Sequence, residues 1–213
     1  RHYDAVLGRF TTNDRFAEKY YSMSPYQYGA NSPVGNIDVN GDSIIIKPNA
    51  NGIIDQIKVL FGYDTKFQKD VKADLFQLKQ DDKKVADIIG KLEESKNIHY
   101  ITMPKKGEYN STGFNADKVK KNISQGSEIY YNPYNRRRGR NDSDMRTPRI
   151  GLAHELQHSF DVDKKVATYE RTKNGILLMD IRAINTENRI RKVIGEPKRT
   201  MYGTQKVPKE LLE

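Results

Sequence analysis

Apolar residues recur along this chain with two different periods, and the two periods predict its elements. "GIIDQIKVLFGY" (52–63) is apolar at helical spacing. "VKADLFQLKQDDKKVADIIGKLEESK" (71–96) is a long amphipathic helical stretch with a break expected near Asp81 and a weak second half around Gly90. "GILLMDIRAINTENRIRKVIG" (175–195) repeats the helical pattern and ends on Gly195 with Pro197 just beyond, a helix stop. By contrast "DSIIIKP" (42–48), "IHYITM" (98–103) and "SEIYYNP" (127–133) are short β-branched and aromatic runs that predict strands. His99 falls inside the second of these and is read as an ordinary sheet histidine. Helices interleaved with short strands predict an α+β fold.

"PRIGLAHELQHSFDVD" (148–163) carries the chemistry. On a helix, residues four apart share a face, so His154 and His158 can offer both imidazoles to one metal ion. Glu155 follows directly and points about 100° around the helix, where it can reach a water without being a ligand. This H-E-x-x-H arrangement makes the glutamate a general base for metal-activated water. Pro148 fits the first turn, and Thr147 before it is the expected N-cap. The bland alternative is an amphipathic helix with two surface histidines.

Composition limits the metal and its ligands. The chain has 213 residues and no cysteine, so disulfides, thiolate ligands and a cysteine nucleophile are all excluded. Any zinc must therefore use histidine and carboxylate, which suits a catalytic site with one position left for water. Asp161, three residues past His158, could hold an imidazole from behind, with Asp163 a further candidate. The third ligand is expected from the helix at 175–195, where Asp180 and Glu187 compete. They lie seven apart, on nearly one face but about two turns along. Glu187 could equally orient a ligand, or pair with Arg191.

Charge is uneven. Residues 1–43 hold four Lys/Arg against five Asp/Glu, and the remaining 170 hold 33 against 23, a net of +10. "YNRRRGRNDSDMRTP" (134–148) reads as a solvated basic loop that could steer an acidic partner. No RRM, KH, helix-turn-helix or zinc-finger pattern accompanies the charge, so a nucleic-acid partner is not favoured. No stretch approaches 18 apolar residues, so no membrane span is expected.

The opening 43 residues, read from their own composition, are a Tyr- and turn-rich set of short strands. Their fixed points are Tyr3, Asp4, Gly8, Arg9, Phe10, Asp14, Pro25, Tyr26, Tyr28, Asn31, Pro33, Asp38 and Gly41. In that order they resemble the end of an RHS-repeat-associated core. The resemblance implies a β-shell upstream, a toxin from residue 44 onward, and self-cleavage near the junction involving Asp14 and Asp38. The sequence departs from the core pattern at Val39 and Asp42.

A second resemblance covers "GLAHELQHSFD", "MDIRAINTENRIR" and "GEPKRTMYG". Together they look like the effector zinc metallopeptidase family of type III secreted proteases, whose second helix reads E-x-x-A-x-x-x-E-N. Laid on this chain, the first acid falls on Asp180, the alanine on Ala183, and the E-N pair on Glu187 and Asn188. The resemblance implies Zn²⁺ held by His154, His158 and Asp180, with aspartate replacing the family's usual glutamate. It also implies a zincin-like domain over 44–213 that is secreted and delivered into a target cell to cleave protein there. An antibacterial toxin of this kind would need a cognate immunity protein. Arg199 and Tyr202, three apart, match an R-x-x-Y pair that in clostridial neurotoxin light chains resembles an oxyanion clamp. Two rival classes stand beside this: an RHS-tip nuclease toxin, and a non-catalytic module stabilised by zinc.

Overall fold

The computed structural model describes residues 3–4, 9–12, 24, 26, 43–50, 52–139 and 142–213. Asp14 and Asp38, like most of the segment resembling an RHS core, lie outside the described residues. From that segment come two short strands, β1 (Tyr3–Asp4) and β2 (Arg9–Phe10), paired antiparallel.

The fold is α+β. A mixed four-stranded sheet has the order β3 (Ile44–Ile46), β4 (His99–Thr102), β6 (Ser127–Tyr130), β5 (Ser111–Gly113). The first three strands run parallel, and β5 pairs antiparallel with β6 through Ser111–Tyr130, Thr112–Ile129 and Gly113–Glu128. Alternation sends Ile44, Ile46, Ile101 and Ile129 to one face, all nearly or fully buried. Three helices fill in over that face: α2 (Lys66–Asp81), α3 (Lys83–Glu93) and α5 (Pro148–Asp163). Val71, Leu75 and Leu78 supply the stripe of α2, and Val85, Ile89 and Leu92 that of α3.

The break expected near Asp81 is real. Asp82 leaves helical dihedrals (φ −150°, ψ 130°) and its carboxylate caps α3 by accepting from the Lys84 and Val85 amides. α3 runs unbroken through Gly90, with Ile89 and Leu92 on either side of it buried. The helix predicted from the apolar run at 53–60 forms as α1 (Ile53–Leu60), yet it buries no residue: Ile53, Ile54, Ile57 and Leu60 are all exposed.

The basic stretch read as a solvated loop contains a strand pair, β7 (Arg137–Gly139) with β8 (Asp142–Met145). Its composition masks this, since neither strand has an apolar face to alternate. Also unread from the sequence were β5 and the short helix α4 (Ala116–Lys120), each too brief to carry a period.

α6 (Leu178–Ile194) lies along α5 and ends at Gly195 in the left-handed region (φ 74°), the stop the sequence predicted. Beyond it β9 (Met201–Tyr202) and β10 (Gln205–Lys206) form a hairpin, and Val207 behind it packs with Ile176, Ile181 and Ile184 in a second small core. A last 3-10 turn spans Lys209–Leu211. Among the described residues no helix is long and apolar enough to cross a membrane.

Candidate metal centre

α5 is covered on all sides. Thirteen of its residues are buried, polar and apolar alike, because the helix lies between the sheet and α6. Pro148 takes the first position, as the sequence predicted. Thr147 precedes it but does not cap with its side chain; its amide and hydroxyl both donate to Glu196 Oε1 (2.8 and 2.6 Å).

His154 and His158 do share a face. Their Nε2 atoms lie 3.2 Å apart, with ring centroids at 4.8 Å and planes at 77°. Two nitrogens on one tetrahedral zinc at about 2.0–2.1 Å would sit about 3.3 Å apart, so the imidazole pair has the spacing of one edge of such a site. Burial, then the neighbouring His154, pushes the His158 pKa well down and keeps that ring neutral, the form that ligates. Asp180, in the first turn of α6, brings Oδ1 to 3.6 Å from His158 Nε2. Its carboxyl is pushed up by burial against the opposing pull of His154 and of a hydrogen bond from the Tyr202 hydroxyl. Among the described residues no group of three or more His, Asp or Glu side chains is placed to hold a metal ion. Two imidazoles converge, and one carboxylate stands beside them.

Glu155 is buried next to the pair. Thr112, on the edge strand β5, reaches Glu155 Oε2 at 2.8 Å and the Glu155 carbonyl at 3.1 Å. Burial raises the Glu155 pKa, only partly offset by His154 and the Thr112 hydroxyl. A carboxyl raised toward neutrality is suited to taking and returning a proton.

Glu187 occupies the far side of His154. It is fully buried, and Oε1 accepts from Arg146 Nη1 (2.7 Å) and Arg199 Nη1 (2.8 Å) while lying 3.1 Å from His154 Nδ1. Burial alone would push this carboxyl up; the Arg146 and Arg199 guanidiniums and His154 outweigh it and hold Glu187 well below the usual range. Of the two competing acids, then, Asp180 sits at the Nε2 edge of the imidazole pair and Glu187 at the Nδ1 edge. The sequence pairing of Glu187 with Arg191 is also present, at 3.7 Å. The neighbouring Asn188 clamps the backbone of Arg199 in both directions, accepting from its amide (2.7 Å) and donating to its carbonyl (3.0 Å).

Arg199 is buried, its Nε donating to the Met201 carbonyl at 3.0 Å, and its guanidinium stands 5.3 Å from the Tyr202 ring centre. Burial and the Asp180 carboxylate raise the Tyr202 pKa, so the phenol keeps its proton. Arg199 thus sits on the Glu187 side of one cluster and Tyr202 on its Asp180 side.

Asp161 and Asp163 go elsewhere. Asp161 accepts from Gln157 Nε2 (2.8 Å) and Arg182 Nε (3.0 Å), so the structure directs it to α6 rather than to His158. Asp163 turns to the sheet side, accepting from Ser95 (2.5 Å) and Asn97 (2.6 Å) with His99 Nε2 at 3.7 Å. His99 Nδ1 bonds Ser127 Oγ at 2.9 Å across to the neighbouring strand, as a sheet histidine can. Sequence reasoning missed Thr112 and Arg146. Nothing near Thr112 marks it; Arg146 had one signal, an unexplained Gly151 inside the histidine helix. No family model, curated protein or solved structure matches this chain.

Proposed function

We propose that residues 44–213 form a zincin-like zinc endopeptidase, carried as the toxin tip of an RHS-type protein. The observation that carries the reading is the meeting of the His154 and His158 Nε2 atoms at 3.2 Å, beside a buried glutamate with a raised pKa. His154, His158 and Asp180 would hold the Zn²⁺. A zinc ion bound there supplies a Lewis acid that polarises the scissile carbonyl and makes water a nucleophile near neutral pH.

The chain's own residues do the rest. Glu155 takes a proton from the attacking water on its carboxylate and returns it to the departing amine, so it ends each cycle ionised. Thr112 fixes which way that carboxylate faces. Arg199 offers a cationic donor to the oxygen that gains negative charge, and Tyr202 can add a second only by turning its hydroxyl away from Asp180. β5 is the last strand of its sheet and carries Thr112, so an extended peptide pairing along its outer edge would lie next to Glu155.

Secretion into a target cell, a protein substrate there and a cognate immunity protein rest on the two sequence resemblances. A strand-edge site for extended chain favours protein over nucleic acid as substrate. The test is incubation with a denatured protein mixture and with plasmid, each with and without chelator. Chelator-sensitive proteolysis with intact plasmid is expected; plasmid cleavage would sink the reading. Asp180→Ala should lower zinc affinity far more than a substitution at Asp161, and equal losses would remove Asp180 from the ligand set.

A further inference from the structure

Behind His154 lies a guanidinium that no motif singles out. Arg146 follows β8 directly, and its amide donates to the Arg136 carbonyl at 2.7 Å, closing the base of the β7–β8 hairpin. From there the side chain crosses α5 to α6 and is 3% exposed. It can cross because of Gly151. A Cβ on that residue would lie 2.5 Å from Arg146 Nη2 and 2.6 Å from Asn110 Nδ2, so any side chain would displace the guanidinium. Helix interiors disfavour glycine by roughly 1 kcal/mol relative to alanine, and here the space explains its use.

The far end of Arg146 meets Glu187 Oε1, the same oxygen that takes Arg199 and faces His154 Nδ1. A buried carboxylate needs cationic partners to stay ionised, and Arg199 alone could meet part of that need. The two guanidiniums reach that oxygen from different elements, Arg199 from the segment after α6 and Arg146 from the end of β8. Without Arg146, Glu187 is free to turn toward Arg199 and Arg191, away from the imidazole.

We propose that Arg146 is a positioning residue of the metal centre: seated over Gly151, it fixes Glu187 so that Glu187 orients the His154 ring and the Arg199 guanidinium. This rests on the metal-centre reading above. Partners behind a ligating histidine commonly set metal affinity by about 10–100-fold, which gives the size of effect to expect.

The test is a cycle on the full chain: Arg146→Met, Glu187→Gln, the double variant, and Gly151→Ala. Zinc affinity is read by chelator competition, the ligand field by the visible spectrum of the Co²⁺ form, and folding by far-ultraviolet circular dichroism. Arg146→Met should weaken zinc about 10–100-fold and shift the Co²⁺ bands while the fold is retained. Gly151→Ala should do the same in smaller degree. Adding Arg146→Met to Glu187→Gln should cost nothing further, because Arg146 acts through Glu187. Should Arg146→Met fail to fold, the double variant removes both buried charges and its comparison with Glu187→Gln decides the matter. Additive losses, or wild-type affinity in Arg146→Met, overturn the proposal. A wild-type chain that takes up neither zinc nor cobalt overturns the metal reading and this proposal with it. Metal effects as expected without any proteolysis support Arg146 and count against the peptidase alone.

Discussion

Buried histidine and carboxylate meet on each flank of α5, and the two sets are built to opposite ends. On the sheet side, Ser95 and Asn97 donate to Asp163 Oδ1, Lys164 pairs with its Oδ2 at 2.8 Å, and His99 lies between Asp163 and Ser127. Among the described residues His99 Nε2 makes no hydrogen bond and lies 3.7 Å from the Asp163 carboxylate. On the α6 side, two imidazoles turn their Nε2 atoms toward each other, with a third oxygen 3.6 Å from one of them. Two imidazole nitrogens facing one another share at best one hydrogen bond, while His154 Nδ1 faces the Arg–Glu cluster and His158 Nδ1 has no hydrogen-bond partner among the described residues. Donors and acceptors paired mostly within the fold make a structural joint. Polar atoms held rigidly toward one another, and left short of partners, make a place for something else.

That contrast can be broken experimentally. The largest effect belongs to the proposed ligands: His154→Ala or His158→Ala should abolish stoichiometric zinc binding by metal analysis, whereas His99→Ala should leave it whole. Zinc retained in the first two would erase the distinction between the flanks. Next, Glu155→Gln should cut turnover by about 10²–10⁴-fold with the metal still bound, because the amide keeps the shape but cannot accept a proton. Unchanged proteolysis would take Glu155 out of the chemistry.

The sheet-side joint should answer to acid instead of metal. Burial opposes ionisation of Asp163, but His99, Lys164, Ser95 and Asn97 outweigh it and hold its pKa below the ordinary 3.8. A carboxyl depressed in the folded state contributes stability above the unfolded value, and loses it as pH falls from about 3.8 toward the folded value. Asp163→Asn should therefore lower stability at pH 7 by about 1–3 kcal/mol and flatten the loss below pH ~4, with zinc affinity unmoved. A steep acid loss persisting in the variant would place the sensitivity elsewhere. The smallest change expected is at Thr112→Val. Losing a donor to the ionised form raises the Glu155 pKa further, so the acid limb of the pH–rate profile should move up and turnover fall by less than about tenfold. A limb that moves down would show that Thr112 does not steady the carboxylate.

Much of this was visible in the residues. Helical period placed α2, α3 and α6 and located the stop at Gly195; alternation placed β4 and β6. The same period marked α1 as amphipathic, yet its apolar side faces outward, since a local pattern says which face is apolar and not what will cover it. Short elements escaped: β5 has three residues, one of them glycine, and β7 and β8 hold one apolar side chain between them, Met145.

For the site, the four-residue spacing of His154 and His158 is a property of helix geometry, and any chain that is helical here brings those imidazoles together. The glutamate between them follows by the same rule, as does the seven-residue interval that made Asp180 and Glu187 rivals. Which of them meets which edge of an imidazole is decided by how α6 lies against α5, and no local rule contains that. Asp161 was expected behind His158 because it is near in sequence, but Arg182 arrives from α6 and takes it. Thr112 and Arg146 reach the site from 43 and 41 positions away in their contacts with Glu155 and Glu187. Spacing along one helix is set by covalent geometry and is legible in the sequence; contact between elements is set by packing the whole core, and only the folded chain reveals it.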